Sequence, residues 1–138
     1  MAANDIAKWQ EALSKNGMLL DGEEVVDTQS VEKAGLLFGI ILYERKTGDF
    51  VLTNKRLFYF IRKIVFNPSF DPTFAGLFQE NRVFDLTKIK DVKSISPWIF
   101  TVTGYEDNAA KEIKQGFRLM KKKAWIEKIN DARTKASN

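Results

Sequence analysis

The 138-residue sequence contains no cysteine and no histidine. Without cysteine the chain has no disulfide and no thiol nucleophile, and without histidine it has no imidazole for acid–base catalysis. Zinc sites built from these two residue types are excluded for the same reason. The lack of cysteine also fits a reducing compartment. We therefore predict a cytoplasmic location, including a peripheral position at the inner face of the membrane.

Other catalytic and membrane-spanning features are missing as well. The longest apolar run, residues 36–43, is far shorter than the roughly 20 residues that a transmembrane helix needs. The sequence has no glycine-rich phosphate loop and no metal-ligand spacing. The adjacent acidic pairs Glu23-Glu24 and Glu106-Asp107 do not indicate a convergent catalytic site. We predict that the protein is not an enzyme and binds no cofactor and no metal.

The residues that are present suit one domain over residues 1–138. Hydrophobic residues make up 44% of the chain and aromatic residues 12%, which is enough for a core of this size. The charge is uneven, because residues 111–138 carry nine Lys or Arg against three Asp or Glu, whereas the preceding residues carry thirteen against fifteen. The basic residues 111–138 either bind phosphate or an acidic partner, or are simply the water-exposed side chains on the outer face of a helix.

A helix is predicted at each end of the chain. The first lies within residues 1–17, with Asn4 or Asp5 as its cap and Asn16-Gly17 as its stop. The second spans residues 120–134. Each has an apolar stripe that we expect to pack on the domain, formed by Ile6, Trp9 and Leu13 in the first helix and by Trp125, Ile126, Ile129 and Ala132 in the second.

Between the helices the pattern is that of short strands. We predict one strand over the apolar run 36–43, with Gly39 as a bulge, and a hairpin turn at Lys46-Thr47-Gly48-Asp49. A second turn, at Asn54-Lys55, separates two strands, and the Thr53 side chain is expected to bond to backbone groups there. The remaining strands are predicted at residues 25–31, 82–86, 92–96, 98–103 and 112–119.

Residues 64–81 interrupt this pattern as a phenylalanine-rich insertion. Pro68 and Pro72 prevent one continuous helix. Its four phenylalanines recur every fourth residue and are too apolar to remain in water. They either cover the core of their own domain or contact another protein chain. These protein-contact candidates are Phe66, Phe70, Phe74 and Phe78.

Residues 52–60 carry the most specific pattern. The string Leu52-Thr53-Asn54-Lys55-Arg56-Leu57, followed by alternating aromatics, resembles the central hairpin of GRAM and bacterial PH-like domains. Residues 85–92 and the final helix with Trp125 extend the resemblance. It implies a mainly β, α+β fold: a strongly bent antiparallel sheet or barrel of about seven strands, capped by a C-terminal helix and preceded by an extra N-terminal helix. Trp125 is then the plug of the barrel, and residues 52–57 are scaffold.

The resemblance implies a binding or scaffolding module without catalysis. Our leading hypothesis is protein–protein contact or self-association into a homo-oligomer, through edge strands and the phenylalanines of residues 64–81. The alternative is peripheral membrane binding through anionic lipid headgroups. Phosphoinositide-binding PH domains carry basic residues at the first hairpin, where this chain offers Arg45-Lys46 close to Asp49. The other anion and lipid candidates are Lys55, Arg62 and Lys63 on one hairpin, and Lys121, Lys122 and Lys123 at the start of the last helix.

Two further classes of partner are disfavoured. A pI of about 9.3 permits binding of nucleic acid, but no recognition motif accompanies the charge. A small-molecule carrier would need an empty barrel, and three Trp and eleven Phe are expected to fill that space.

Overall fold

A computed structural model describes residues 3–15, 17–37, 40–62, 78–106 and 111–137. Two helices flank six strands in these residues, and the connections alternate between the two ends of the sheet, as antiparallel pairing requires. The elements are α1 (Ala3–Lys15), β1 (Val25–Leu37), β2 (Ile40–Thr53), β3 (Arg56–Arg62), β4 (Phe78–Ser96), β5 (Ile99–Glu106), β6 (Glu112–Arg118) and α2 (Lys122–Ala136).

The strands form one antiparallel sheet that closes into a barrel. Each strand pairs with the next along the chain, and β6 returns to pair with β1, where Glu32 lies opposite Arg118. Closure satisfies backbone groups that an open edge would leave for another chain. The contact between β1 and β6 covers only residues 32–34 and 116–118, so among the described strands the outer edge of β1 over residues 25–31 has no paired neighbour. Protein contact through edge strands stays a prediction.

Strand β4 explains why six strands are described where about seven were expected. Its first part pairs with β3, with Asp85 opposite Arg56, and its second part pairs with β5, with Val92 opposite Val102. The segments predicted as two strands, 82–86 and 92–96, are thus one continuous strand. No glycine or proline separates them, so the chain passes between its two partners through register irregularities alone.

The hairpin turn predicted at residues 46–49 is wrong. These residues lie inside β2, and Gly48 pairs with Val31 on one side and with Ile61 on the other. Gly48 serves close packing, because a Cβ atom there would lie 2.8 Å from the Tyr59 ring and closer still to the Phe60 carbonyl oxygen. Arg45 and Lys46 consequently belong to a strand and not to the first hairpin loop.

The apolar run 36–43 is also not a single strand. Leu37 ends β1 and pairs with Ile40, which begins β2, so the chain reverses direction between them. Gly39, the predicted bulge, lies outside the described residues. Because no polar residues mark this change of direction, the apolar pattern alone could not distinguish it from one continuous strand.

The barrel interior is filled with aromatic side chains. Trp125 of α2 is 1% exposed, and its ring centroid lies 5.4 Å from that of Phe50. This contact confirms Trp125 as the plug, and Ile129 is buried one turn later on the same face. Other buried aromatic residues of this interior core are Tyr59, Phe84, Phe100 and Phe117.

A second core lies on the outside of the barrel beneath α1. Trp9 stacks on Phe60 with ring centroids 5.3 Å apart, and Phe60 stacks on Phe58. Along β3 the side chains alternate as predicted, because Leu57 and Tyr59 face the interior core while Phe58 and Phe60 face α1. The apolar face of the first helix therefore packs on its own sheet.

Candidate functional site

The turn between β2 and β3 holds a buried ion pair. The Arg56 guanidinium donates from Nε to Glu23 Oε2 at 3.0 Å and from Nη2 to Glu23 Oε1 at 2.6 Å. Nη2 also donates to the carbonyl oxygen of Met18. The Glu23 side chain is 0% exposed, so this bidentate pair fixes the segment between α1 and β1 onto the barrel.

Thr53 and Asn54 complete this network. The Thr53 hydroxyl donates to Glu23 Oε2 at 2.6 Å and accepts the backbone N–H groups of Lys55 and Arg56, as the sequence predicted. The Asn54 side chain accepts the N–H of Glu24 and donates to the carbonyl of Gly22. The polar side chains of Thr53, Asn54 and Arg56 thus hold the chain together, as a scaffold role predicts.

The pKa of Glu23 is shifted by this environment. Burial raises the pKa of the carboxyl group, but the hydrogen bonds from Arg56, the Leu20 N–H and Thr53 lower it, with the Arg56 charge acting in the same direction. The net pKa lies below the usual value of 4.5. Glu23 is therefore a carboxylate at neutral pH, and its engagement with Arg56 leaves it unsuited to proton transfer.

The most distinctive exposed surface surrounds the turn between β4 and β5. Trp98 is 49% exposed, Met120 is 84% exposed and Ile95 is 37% exposed. Large apolar side chains exposed side by side indicate a contact surface more often than isolated ones do. We call this region, together with its basic neighbours, the Trp98 surface; it comprises Lys93, Ile95, Trp98, Arg118, Met120, Lys121, Lys122 and Lys123.

Specific contacts join the two segments that form the Trp98 surface. The Leu119 N–H donates to the Trp98 carbonyl oxygen at 2.8 Å, and the Arg118 guanidinium lies 6.0 Å from the centre of the Trp98 ring. Lys122 Nζ donates to Ser94 Oγ at 2.6 Å, which ties the first turn of α2 to the end of β4. The exposed apolar residues are thus held at the start of α2.

The two segments that form the Trp98 surface are rich in basic residues, and Glu32 of β1 lies opposite one of these, Arg118. Residues 93–98 and 117–124 contain five Lys or Arg and no Asp or Glu. The first turn of α2 has no acidic residue, and Lys121 at the N-cap position makes no capping hydrogen bond. Because a helix N-terminus carries partial positive charge, three lysines there do not stabilise α2. Helix stability therefore does not explain the placement of these lysines.

The structure does not bring all the predicted basic candidates together. Lys55 lies in the β2–β3 turn and donates to the Asp21 carbonyl oxygen at 2.8 Å. Arg62 is at the opposite end of β3, about 23 Å away at the usual rise of a strand. These two cations therefore do not form one cluster, and Lys63 lies outside the described residues. Lys121, Lys122 and Lys123, in contrast, share the Trp98 surface.

The phenylalanine candidates lie almost entirely beyond the described part of the chain. Phe66, Phe70 and Phe74 fall in residues 63–77, which the structure does not describe. Phe78 begins β4, where it pairs with Arg62, so the predicted insertion 64–81 is shortened by its last four residues. Protein contact through these side chains stays a prediction.

Sequence reasoning missed the Trp98 surface and the Glu23–Arg56 pair. Trp98 was assigned to a strand and Met120 to a helix, and neither pattern shows that the side chain is exposed. Pro97 directly before Trp98 was the available signal, because proline favours a turn at this position. Glu23 and Arg56 are 33 positions apart, so no local pattern connects them.

The described residues contain neither a metal-binding cluster nor a membrane-spanning helix. No three acidic side chains in them gather into a group that could hold an ion. Neither α1 nor α2 is long and apolar enough to cross a membrane.

Comparison with known proteins gives similarity in structure only. No family model matches the sequence, and no curated protein matches it. The chain superposes on the DH/PH domains of PDZ-RhoGEF in complex with GTP-γ-S-activated RhoA, with a TM-score of 0.59, 10% identity and 96% of this chain covered. The DH/PH domains of p115-RhoGEF give a TM-score of 0.54 with 12% identity and 94% of this chain covered. The hSac2 domain of the human phosphoinositide phosphatase Sac2 gives 0.59 with 6% identity, covering 97% of this chain and 85% of that one.

These likenesses support a PH-like fold. The chain spans 37% of the PDZ-RhoGEF chain and 38% of the p115-RhoGEF chain. At such low identity the comparison supports an inference about the fold of this chain, but not about its partners or activity. The GRAM-type and bacterial character inferred from residues 52–57 stays a prediction.

Proposed function

We propose that this PH-like chain is a non-catalytic binding module that attaches peripherally to anionic membranes through the Trp98 surface. The observation that carries the proposal is the exposure of Trp98 and Met120 on two adjoining segments, residues 93–98 and 117–124, that contain five Lys or Arg and no Asp or Glu. Tryptophan is favoured at the level of lipid headgroups, because its ring is apolar and its N–H is polar. Lysines beside it meet the negative potential of the leaflet.

Two sources of free energy act together at this surface. Each Lys or Arg near an anionic leaflet contributes about 1 kcal/mol, so five such residues give useful but weak attraction. Insertion of apolar side chains adds a contribution that does not depend on charge. Lysine is depleted in protein–protein interfaces, whereas tryptophan and lysine are found together at membrane surfaces. The composition therefore favours a lipid surface as the partner.

Co-sedimentation with lipid vesicles tests the proposal. At low salt the protein should co-sediment with vesicles of phosphatidylcholine and phosphatidylglycerol, and it should stay in the supernatant with pure phosphatidylcholine vesicles. Changing Lys121, Lys122 and Lys123 together to Gln should weaken binding about a hundredfold, because about 3 kcal/mol of attraction is lost. Trp98→Ala should also weaken binding while leaving the fold intact.

A matched triple variant separates location from total charge. Lys8, Lys88 and Lys114 are exposed and lie outside the Trp98 surface, so changing all three to Gln alters the net charge equally. This control should bind within about threefold of the unmodified protein, since it keeps the local contacts. The proposal is wrong if the control loses as much affinity as the Lys121–Lys123 variant, or if the unmodified protein stays in the supernatant.

Protein contact through Phe66, Phe70, Phe74 and Phe78 is the second candidate function. One observation favours it: Arg62 and Phe78 are paired in the sheet, and the fifteen residues between them in the sequence include three of these phenylalanines. Three phenylalanines within fifteen residues are too apolar to remain in water, and contact with another chain would cover them. Light scattering on a size-exclusion column should then show a defined oligomer, which Phe70→Ser with Phe74→Ser reduces to a monomer. A strictly monomeric protein would leave self-association without support.

A further inference from the structure

A cavity of about 390 Å³ opens at the other end of α2 from the Trp98 surface. It lies where the β2–β3 turn, the middle of β4 and the last turn of α2 meet. Because α2 has fifteen residues, the two sites are about 20 Å apart. The lining residues are Leu20, Asn54, Lys55, Arg56, Asp85, Thr87, Lys135 and Ala136.

The walls of this cavity carry both signs of charge. Lys55 and Lys135 are exposed and supply two ammonium groups. Lys55 gives one N–H to the Asp21 carbonyl oxygen, and its ammonium group retains two further donors. The Arg56 guanidinium is already paired with Glu23, so it is not one of the groups that we assign to the ligand. A ligand therefore meets a basic side with at least two donor groups.

Asp85 supplies the opposite charge. Its Oδ1 accepts the Thr87 N–H at 2.9 Å and the Thr87 hydroxyl at 2.6 Å. Both bonds use the same oxygen, and within the described part of the chain Oδ2 has no hydrogen-bond partner. The two bonds from Thr87 thus hold the Asp85 carboxylate in place with one oxygen available to a donor.

The remaining lining residues set the size and the polarity of a ligand. Leu20 is 50% exposed and Ala136 is half-buried, so they provide a small apolar wall. A volume of about 390 Å³ lies at the lower end of the range for small-molecule sites, roughly 300–1,000 Å³. A ligand bearing charge of only one sign would leave either the lysines or Asp85 without a partner.

We propose that this cavity binds a small zwitterion, with a phosphate or carboxylate group at Lys55 and Lys135 and a primary ammonium group at Asp85. This inference goes beyond the proposed membrane attachment, which uses a different surface. The same chemistry occurs in free amino phosphates and in the headgroup of phosphatidylethanolamine. The site is defined by the ligand's two charges and its small size, whichever source supplies it.

Titration of the full chain with O-phosphoethanolamine, followed by ¹H–¹⁵N chemical shifts, tests the inference. Saturable shifts are expected at residues of the β2–β3 turn, at residues 85–87 of β4 and at the end of α2. Inorganic phosphate and ethanolamine each satisfy only half of the site, so each should bind about tenfold more weakly. Lys55→Ala with Lys135→Ala, and separately Asp85→Asn, should each weaken binding by about tenfold or more, whereas Lys114→Ala should have no effect.

The outcomes separate the hypotheses. The inference is overturned if O-phosphoethanolamine causes no saturable shift, or if inorganic phosphate binds equally well and Asp85→Asn changes nothing. Vesicles of phosphatidylcholine with and without phosphatidylethanolamine identify the source. A gain in binding that requires Lys55 and Lys135 supports the lipid headgroup, whereas binding of the free compound alone supports a soluble zwitterion.

Discussion

Arg56 and Glu23 illustrate how single residues hold this protein together. Their side chains are nearly or fully removed from water and form two charge-assisted hydrogen bonds. A buried pair of this kind adds little stability compared with an apolar pair of the same shape, but removing one partner leaves the other charge buried and uncompensated. The motif of residues 53–56 is therefore intolerant of change for a structural reason.

We expect Glu23→Gln to lower the free energy of unfolding by about 3 kcal/mol. The glutamine keeps the shape of the side chain but leaves the Arg56 guanidinium buried without its counter-charge. Urea denaturation measures the change, and Glu24→Gln is the matched control, because Glu24 is the exposed neighbour. A loss as small for Glu23→Gln as for Glu24→Gln would contradict this account of the pair.

The same carboxyl group predicts a dependence of stability on pH. Its pKa in the folded protein lies below the usual value of 4.5, so as the pH falls below 4.5 the unfolded chain takes up a proton first. The stabilisation by Glu23 is complete above that pH and is lost as the pH falls through the folded pKa. Urea denaturation at successive pH values below 4.5 should show a shallower decline for Glu23→Gln than for the unmodified protein.

Gly48 is a second residue whose role the neighbouring strand determines. We expect Gly48→Ala to destabilise the protein by about 3 kcal/mol or more, because the added methyl group overlaps the Phe60 backbone and the Tyr59 ring. Gly17 provides the comparison: its φ is 65° and its surroundings are open, so Gly17→Ala should cost only about 1 kcal/mol. Thermal denaturation of the two variants checks the difference, and equal effects would argue against the close approach at Gly48.

At the scale of elements, α1 has the most separable role. It is the short helix that covers the outer core of Val51, Phe58 and Phe60, and its Trp9 is 3% exposed. A 13-residue helix is marginal by itself in water, so its order depends on this packing.

Trp9→Ala should therefore cost about 3–5 kcal/mol and should raise hydrogen exchange throughout α1. Trp98→Ala removes the same side chain at a site that is 49% exposed, and we expect it to change stability by less than about 1 kcal/mol. Urea denaturation and amide exchange measure both variants. The packing of α1 would be in doubt if its amides exchanged equally fast before and after the change at Trp9.

At the scale of the whole molecule, the charge is distributed unevenly. The net charge is +4, but the last 28 residues hold a surplus of basic groups and the rest of the chain a small surplus of acidic ones. Folding joins the segment that contains Lys93 to the basic start of α2 through the hydrogen bond from Lys122 to Ser94. Such an asymmetric charge orients a protein as it approaches a charged surface.

Binding to anionic vesicles should consequently fall steeply with added salt. Between 0.01 M and 0.15 M ionic strength the screening length falls from about 30 Å to about 8 Å, so only the closest charges still act. Tryptophan fluorescence reports the bound state, because Trp9 and Trp125 are buried and Trp98 is exposed. A blue shift on binding that Trp98→Phe removes is the expected result, and a shift that survives this change would place the contact elsewhere.

Local features of the sequence were sufficient for much of the architecture. The alternation in β3, the apolar stripes of both helices and the turn at Asn54-Lys55 follow from the period of apolar residues and from turn chemistry, and the structure confirms them. These properties depend on residues within a few positions of one another, so the sequence by itself determines them.

The tertiary structure decided what depends on distant residues. It placed Gly48 inside a strand because of Tyr59 and Phe60, joined two predicted strands into β4, and separated Lys55 from Arg62 along β3. It also brought together the two segments that carry Trp98 and Met120, and paired Glu23 with Arg56. Strand register and barrel closure bring these groups together from positions far apart in the chain, and no local pattern contains that information.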